Sequence, residues 1–205
     1  RTRTDLMENE AYRKDLEQQG VVFPEVHAPE KIYYPLDENL NELYDRTIRM
    51  LSNPDEGLTY FRYQAIKYLR PEKKKKYKKA DVISVQLATI MKALLVKRID
   101  SSFYAFKQSL KRYQEANHVM LQMFDKGTIY IAPNLKVNEL LSNGKEEELI
   151  KLIDASIYAD PTIEICTPDD FEPGFREGIE HDEMILKQLV ADWENIEEDP
   201  KLNMF

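Results

Sequence analysis

The chain of 205 residues has one cysteine, one tryptophan, six glycines and three histidines. A lone Cys166 excludes an internal disulfide and fits a reducing, cytoplasmic setting, where it is expected to pack as a small hydrophobe. His27, His118 and His181 are scattered and, with one cysteine, offer no zinc-ligand spacing. No apolar run approaches the ~18 residues of a membrane span, and no basic-then-apolar leader opens the sequence. No membrane association is therefore expected. The glycines, at 20, 57, 127, 144, 174 and 178, form no G-x-x-x-x-G-K-[ST] phosphate loop, since Gly144-Lys145 continues into Glu146. The chain by itself thus lacks the parts of a complete ATPase, and no cofactor of its own is expected.

What is present is ordinary apolar content and abundant, unevenly placed charge. Hydrophobic residues make up 42% and charged residues 32%, which suits a helix-rich protein and is too apolar for disorder. The net charge of −8 conceals two blocks of opposite sign. Leu58 to Lys126 holds 16 Lys and Arg against 5 Asp and Glu, whereas Asp160 to Phe205 holds 3 against 14. A domain-sized basic block in an acidic chain is the footprint of a polyanion site. The rival explanation is internal, with the acidic tail docking on the basic middle.

Helical periodicity dominates. Asp5 to Gln19 reads as a helix ended by Gly20. Val21 to Leu36, with three prolines, reads as extended, with one strand over Lys31 to Leu36. Asp37 caps a helix carrying Leu40, Leu43, Tyr44, Thr47, Ile48 and Leu51, and Ser52 to Gly57 is a loop. Leu58 to Leu69 is expected to be helical and stopped by Pro71. Val82 to Ile99, apolar on more than one face, is expected at the centre of a bundle. Ser101 to Lys126 puts Phe103, Phe106, Leu110, Tyr113, Asn117, Met120, Leu121 and Phe124 inward, and Gly127 ends it. Thr128 to Ala132 reads as extended, Val137 to Leu141 and Lys145 to Tyr158 as helices, and Asp160 to Pro173 as a flexible connection. A last helix, from Phe175 or Glu177 to Ile196, carries Ile179, Ile185, Leu186, Leu189 and Trp193. The fold class is mainly all-α, a helical bundle with one or two short extended segments.

The candidate phosphate-contacting residues lie in the basic block. Lys73, Lys74, Lys75 and Lys76 form a run, with Tyr77 available to stack on a base. Lys107, Lys111 and Arg112 occupy the outer side of the long helix, and Lys107 and Lys111 are one turn apart. Lys97 and Arg98 sit at a helix–helix corner, where Asp100 or Ser101 caps the next helix and the preceding helix's dipole favours cations. Glu180-His181-Asp182-Glu183 gathers acids around one imidazole and reads as solvated surface rather than a metal site. Cys166 with His181 lacks the context of a nucleophile and base.

The run Leu94-Leu95-Val96-Lys97-Arg98-Ile99-Asp100-Ser101-Ser102-Phe103-Tyr104-Ala105-Phe106 resembles the "LLLKRLESS…AF" segment of bacterial Swi/Snf-type superfamily-two DNA helicases and translocases. In that family it lies between the two RecA-like lobes. Val96, Ile99 and Asp100 replace Leu, Leu and Glu. Arg1-Thr2-Arg3-Thr4-Asp5 resembles the "RRTRTD" element closing the first lobe. Phe23 to Val26 and Lys31 to Leu36 are similar to the exit strand after it. Trp193 and Asp199-Pro200-Lys201-Leu202 resemble the lead into the second lobe, while Gly127 to Pro173 carries no likeness. The family's acidic box is missing.

The resemblance implies a non-catalytic inter-lobe segment excised from a longer protein, in keeping with an opening Arg. That parent would bind ATP and magnesium, hydrolyse ATP and move on DNA. Residues 1–20 would end the first lobe, with Arg1 and Arg3 in its closing motif. Residues 21–57 would form the exit segment and first helix, 58–159 a basic bundle, and 160–205 an acidic linker and helix. The implied partners are DNA, through its backbone, and the protein's own two lobes. The alternative is a helical protein–protein interaction module without DNA contact.

Overall fold

A computed structural model describes residues 3–21, 27–31, 33–77, 80–131 and 164–204. Their contacts divide the chain into two units, residues 1–33 and 34–205.

The first unit holds two short helices, α1 (Arg3–Glu8) and α2 (Glu10–Gln18), where one was expected. Asn9 separates them because its carboxamide oxygen accepts from the amides of Ala11 and Tyr12, capping a new start. Gly20 takes the left-handed stop at φ 67°. The exit segment Phe23 to Val26 lies outside the described residues. Lys31 and Tyr33 to Leu36 form no strand.

The second unit is a mostly helical bundle. Helix α3 (Glu38–Ser52) starts on Asp37, whose carboxylate accepts from Leu40 N at 2.8 Å. Next come a 3-10 turn (Phe61–Gln64), the short α4 (Pro71–Lys74), α5 (Ala80–Ser101) and α6 (Phe103–Lys126). Ser102, rather than Asp100 or Ser101, caps α6, since α5 continues two residues past Ile99. Gly127 ends α6 at φ 76°. Strands β1 (Ile129–Ile131) and β2 (Glu164–Cys166) pair antiparallel, Ile129 opposite Cys166. The last long helix is α7 (Phe175–Glu194). The expected helices Val137 to Leu141 and Lys145 to Tyr158 lie outside the described residues.

Two apolar clusters make the core, and α6 and α7 run through both. In the first, Phe103 and Phe106 of α6 meet the Trp193 ring edge-on at 4.9 and 5.2 Å, beside Leu51, Leu95, Ile99 and Leu189. In the second, Phe171 stacks on Phe175 at 4.8 Å against Phe124, Ile129 and Cys166. The centre is therefore the α6–α7 pair, not α5. Apart from Ser84, the described buried residues of α5 lie in its later part, at Met91, Leu94, Leu95 and Ile99, while Val82 and Val85 are 53% and 49% exposed.

Two further expectations are overturned. Leu58 to Leu69 is not a helix: Tyr60 sits in the left-handed region at φ 58°, followed by the 3-10 turn, and Pro71 opens α4 instead of stopping a helix. The described part of the supposed flexible connection, residues 164–173, is built into the fold. It supplies β2, the buried Phe171, and a bridge from Phe171 to Leu69. Among the described residues, no helix is long and apolar enough to cross a membrane.

Candidate nucleic-acid interface

The corner between α5 and α6 gathers the cations of greatest interest. Leu94, Leu95 and Ile99 face the core, which leaves Lys97 exposed and Arg98 half-buried at the edge. On α6, Leu110 and Tyr113 point inward, so Lys111 and Arg112 between them are exposed. Arg98 and Arg112 line one pocket between the two helices, over Met91, Leu94 and Leu95, with Tyr113 and Tyr63 beside them. The packing of α5 on α6 places around one pocket two arginines 14 residues apart in sequence.

The remaining candidates divide by what their ends touch. Lys73 Nζ pairs with Asp170 at 2.7 Å and donates to the carbonyl of Ile165, so it holds the turn after β2. Lys74 Nζ donates to the carbonyl of Lys67 at 2.9 Å. Lys107 Nζ donates to the carbonyls of Glu194 and Ile196 at 3.1 and 2.8 Å, where α7 ends and its dipole is negative. Lys92 does the same for α3 through Ser52 O at 2.7 Å. Much of the basic block's charge therefore stabilises helix ends and turns within the fold. Lys75 and Lys76 are exposed just after α4. Arg1 lies outside the described residues, as do Lys78 and Lys79, and Arg3 is described only as the first residue of α1.

The tail docks mainly through its apolar face. Lys73–Asp170 joins basic middle to acidic tail, while Arg176 to Asp125 at 2.8 Å joins them with the signs reversed. Lys73 also holds the Asp170 carboxyl below its ordinary value, helped by the amide of Thr167.

The cluster Glu180-His181-Asp182-Glu183 is not solvated surface throughout. Asp182 is fully buried and accepts from Thr59 N, Thr59 Oγ1 and Phe61 N, at 2.7, 2.9 and 2.9 Å. These bonds pin the backbone on either side of the left-handed Tyr60, whose hydroxyl donates to Leu51 O. Burial nevertheless raises the Asp182 pKa, against the lowering effect of those bonds. Glu183 is buried as well, accepting from Asn117 Nδ2 at 3.0 Å and pairing with Lys187 at 3.3 Å. A signal was available: Ile179, Asp182, Glu183 and Leu186 share the inward stripe of α7. Among the described residues, no group of three or more His, Cys, Asp or Glu is arranged to hold a metal ion.

Arg62 and Tyr113 carry polar groups buried in this part of the fold. Arg62 is buried, with its guanidinium carbon 5.2 Å from the Tyr63 ring centroid. The Tyr113 hydroxyl is buried and makes no hydrogen bond. Its pKa lies well above the ordinary value because burial disfavours the phenolate, so it stays a protonated donor. No family model, curated protein or solved structure matches the chain.

Proposed function

We propose that this chain is the inter-lobe helical segment of a Swi/Snf-like ATP-dependent DNA translocase, contributing a basic, sequence-indifferent surface to the DNA backbone. The observation that carries the reading is the Leu94–Phe106 run itself. The run that resembles the family forms the α5–α6 corner, with Lys97 and Arg98 on its outer edge and Lys111 and Arg112 alongside. In this reading ATP and magnesium belong to the lobes of the parent, and the segment links those lobes and meets phosphate. Binding through phosphates releases counterions, so its affinity falls steeply with salt and depends little on sequence.

The test is a titration of a fluorescent duplex with the whole chain at several salt concentrations. Tight binding at low salt, weakened by Lys97→Ala with Arg98→Ala and by Lys111→Ala with Arg112→Ala, supports the reading. An absence of duplex binding at low salt overturns it.

The exposed Val82 and Val85, one turn apart on α5, favour a second reading, a helical protein-interaction module. Under it, the chain does not bind duplex, and Val82→Asp would abolish capture of a purified protein partner.

A further inference from the structure

We propose that Tyr104, on the outer stripe of α6, is a stacking platform for one unpaired base of a DNA strand whose phosphates meet Lys111 and Arg112. The inference rests on the phosphate-contact reading above and names unpaired bases as what the same surface selects.

Tyr104 is 70% exposed, whereas Phe103 and Phe106 on either side of it are buried against Trp193. Those contacts fix the first turn of α6. Asp199 and Ser102 hold its start, accepting from the amides of Phe103 and Ala105 at 2.9 and 3.4 Å. The Tyr104 ring therefore projects from a rigid backbone. A tyrosine has few side-chain torsions to lose, so covering the ring with a ligand costs little conformational entropy.

The charge along this part of α6 has one sign. From Ser101 to Gln114 there are three cations and no acid. Lys107 is committed to the carbonyls at the end of α7, but no hydrogen bond or ion pair joins Lys111 or Arg112 to another described residue. Lys111 lies seven positions after Tyr104. That spacing puts it on the same face, at a rise of about 10 Å. Two acids at the corner are engaged, Asp100 by the Tyr44 hydroxyl and Asp199 by Phe103 N. Glu115, one turn beyond Lys111, ends the cationic stretch.

This setting selects the ligand class. The next outward positions along the helix are Lys107 and Gln108, so the ring stands among polar groups and forms no apolar patch for a protein core to cover. A flat π-face carried on an anionic backbone matches both the ring and the cations beyond it, and a nucleotide strand has that composition. In a duplex the base faces are already stacked on one another, so the ring gains its contact from a base that is unpaired. Stacking of this kind tolerates any base.

The experiment titrates three labelled ligands with the whole chain at low salt: a thymine-run single strand, an abasic strand of equal length, and a duplex. The abasic strand keeps the phosphates and lacks only the bases. The base-bearing strand is expected to bind about tenfold more tightly than the abasic one. Tyr104→Ala is expected to remove that difference and leave the abasic strand and duplex unchanged. Tyr104→Phe is expected to keep it, because the ring stacks and the hydroxyl does not. Lys111→Ala with Arg112→Ala is expected to weaken all three ligands.

The platform is overturned if base-bearing and abasic strands bind wild type equally, or if Tyr104→Ala keeps their difference. It is also overturned if Tyr104→Phe loses as much as Tyr104→Ala, since the hydroxyl would then be the contact. Duplex binding that survives in any of these cases leaves the backbone-surface reading standing without the platform. If the single strand binds through Tyr104 and duplex does not bind, the platform stands and the duplex reading falls. If no ligand binds, both fall.

Discussion

The indole Nε1 of Trp193 donates a 2.8 Å hydrogen bond to the hydroxyl of Thr47, joining α7 to α3 inside the core. Both residues are buried, and the Thr47 hydroxyl in turn donates to Leu43 O at 2.7 Å. Thr47 thus stands between an indole donor and a backbone acceptor. Thr47→Val keeps the shape but orphans the indole N–H, and is expected to cost about 1–3 kcal/mol. Trp193→Ala also loses the packing against Phe103 and Phe106, and is expected to cost about 3–5 kcal/mol. Urea unfolding followed by circular dichroism checks both, and equal midpoints for the two variants would contradict the assignment.

Asp182 sets the path of the chain through Tyr60. Asp182→Ala leaves the Thr59 and Phe61 amides without their acceptor, at about 1–3 kcal/mol for each orphaned donor. Its titration has a definite sign. Because the folded pKa is raised above the ordinary 3.8, the native state holds its proton more tightly than the unfolded chain. The contribution to stability is then largest at acid pH and declines as pH rises from about the unfolded value through the folded one. Asp170, with a lowered pKa, acts oppositely: its contribution is present above the ordinary 3.8 and is lost as pH falls through the folded value. Unfolding midpoints across acid pH for wild type, Asp182→Asn and Asp170→Asn separate the two, and parallel pH profiles would refute the assignment.

Gly178 on α7 lies under the ring of Phe61, where a Cβ would overlap ring carbons. Gly178→Ala is expected to destabilise by about 1–3 kcal/mol through overpacking. Combined with Phe61→Leu, which makes room, the loss is expected to be less than the sum of the single changes. Additive losses in a double-mutant cycle would show that the two positions do not meet.

Along α5, burial changes from one end to the other. Leu94→Ala, at a site 7% exposed, is expected to cost about 2–5 kcal/mol. Val82→Ser, at a site 53% exposed, is expected to stay within about 0.5 kcal/mol of wild type. Similar midpoints for the two would place the core elsewhere.

Truncation after Ala159 tests the tail as part of the fold. It removes Phe175, Ile179, Leu186, Leu189 and Trp193, all essentially buried. The shortened chain is expected to lose its cooperative unfolding transition, measured by denaturant titration. A native-like transition would mean that α6 finds its core without α7. Deleting the tail is therefore no way to unmask a basic surface, and charge substitutions are the proper probe.

The local rules were legible in the sequence. Asp37 as a cap, Gly20 and Gly127 as stops, and the inward stripes of α6 and α7 follow from side-chain chemistry and a period of 3.6 residues, which act within a few turns of chain. The mainly helical class follows from the same pattern. Tertiary structure decided what depends on partners distant in sequence. Leu58 to Leu69 has helix-compatible spacing, yet Asp182, more than a hundred positions later, takes the amides of Thr59 and Phe61 and holds the segment irregular. The lysines looked alike in sequence, but Lys73 and Lys107 reach acceptors on β2's turn and at the end of α7, whereas Lys111 remains exposed. The placing of Arg98 and Arg112 around one pocket arises only when α5 packs on α6. Period and capping are properties of one helix, whereas the fate of a charge depends on which second element reaches it.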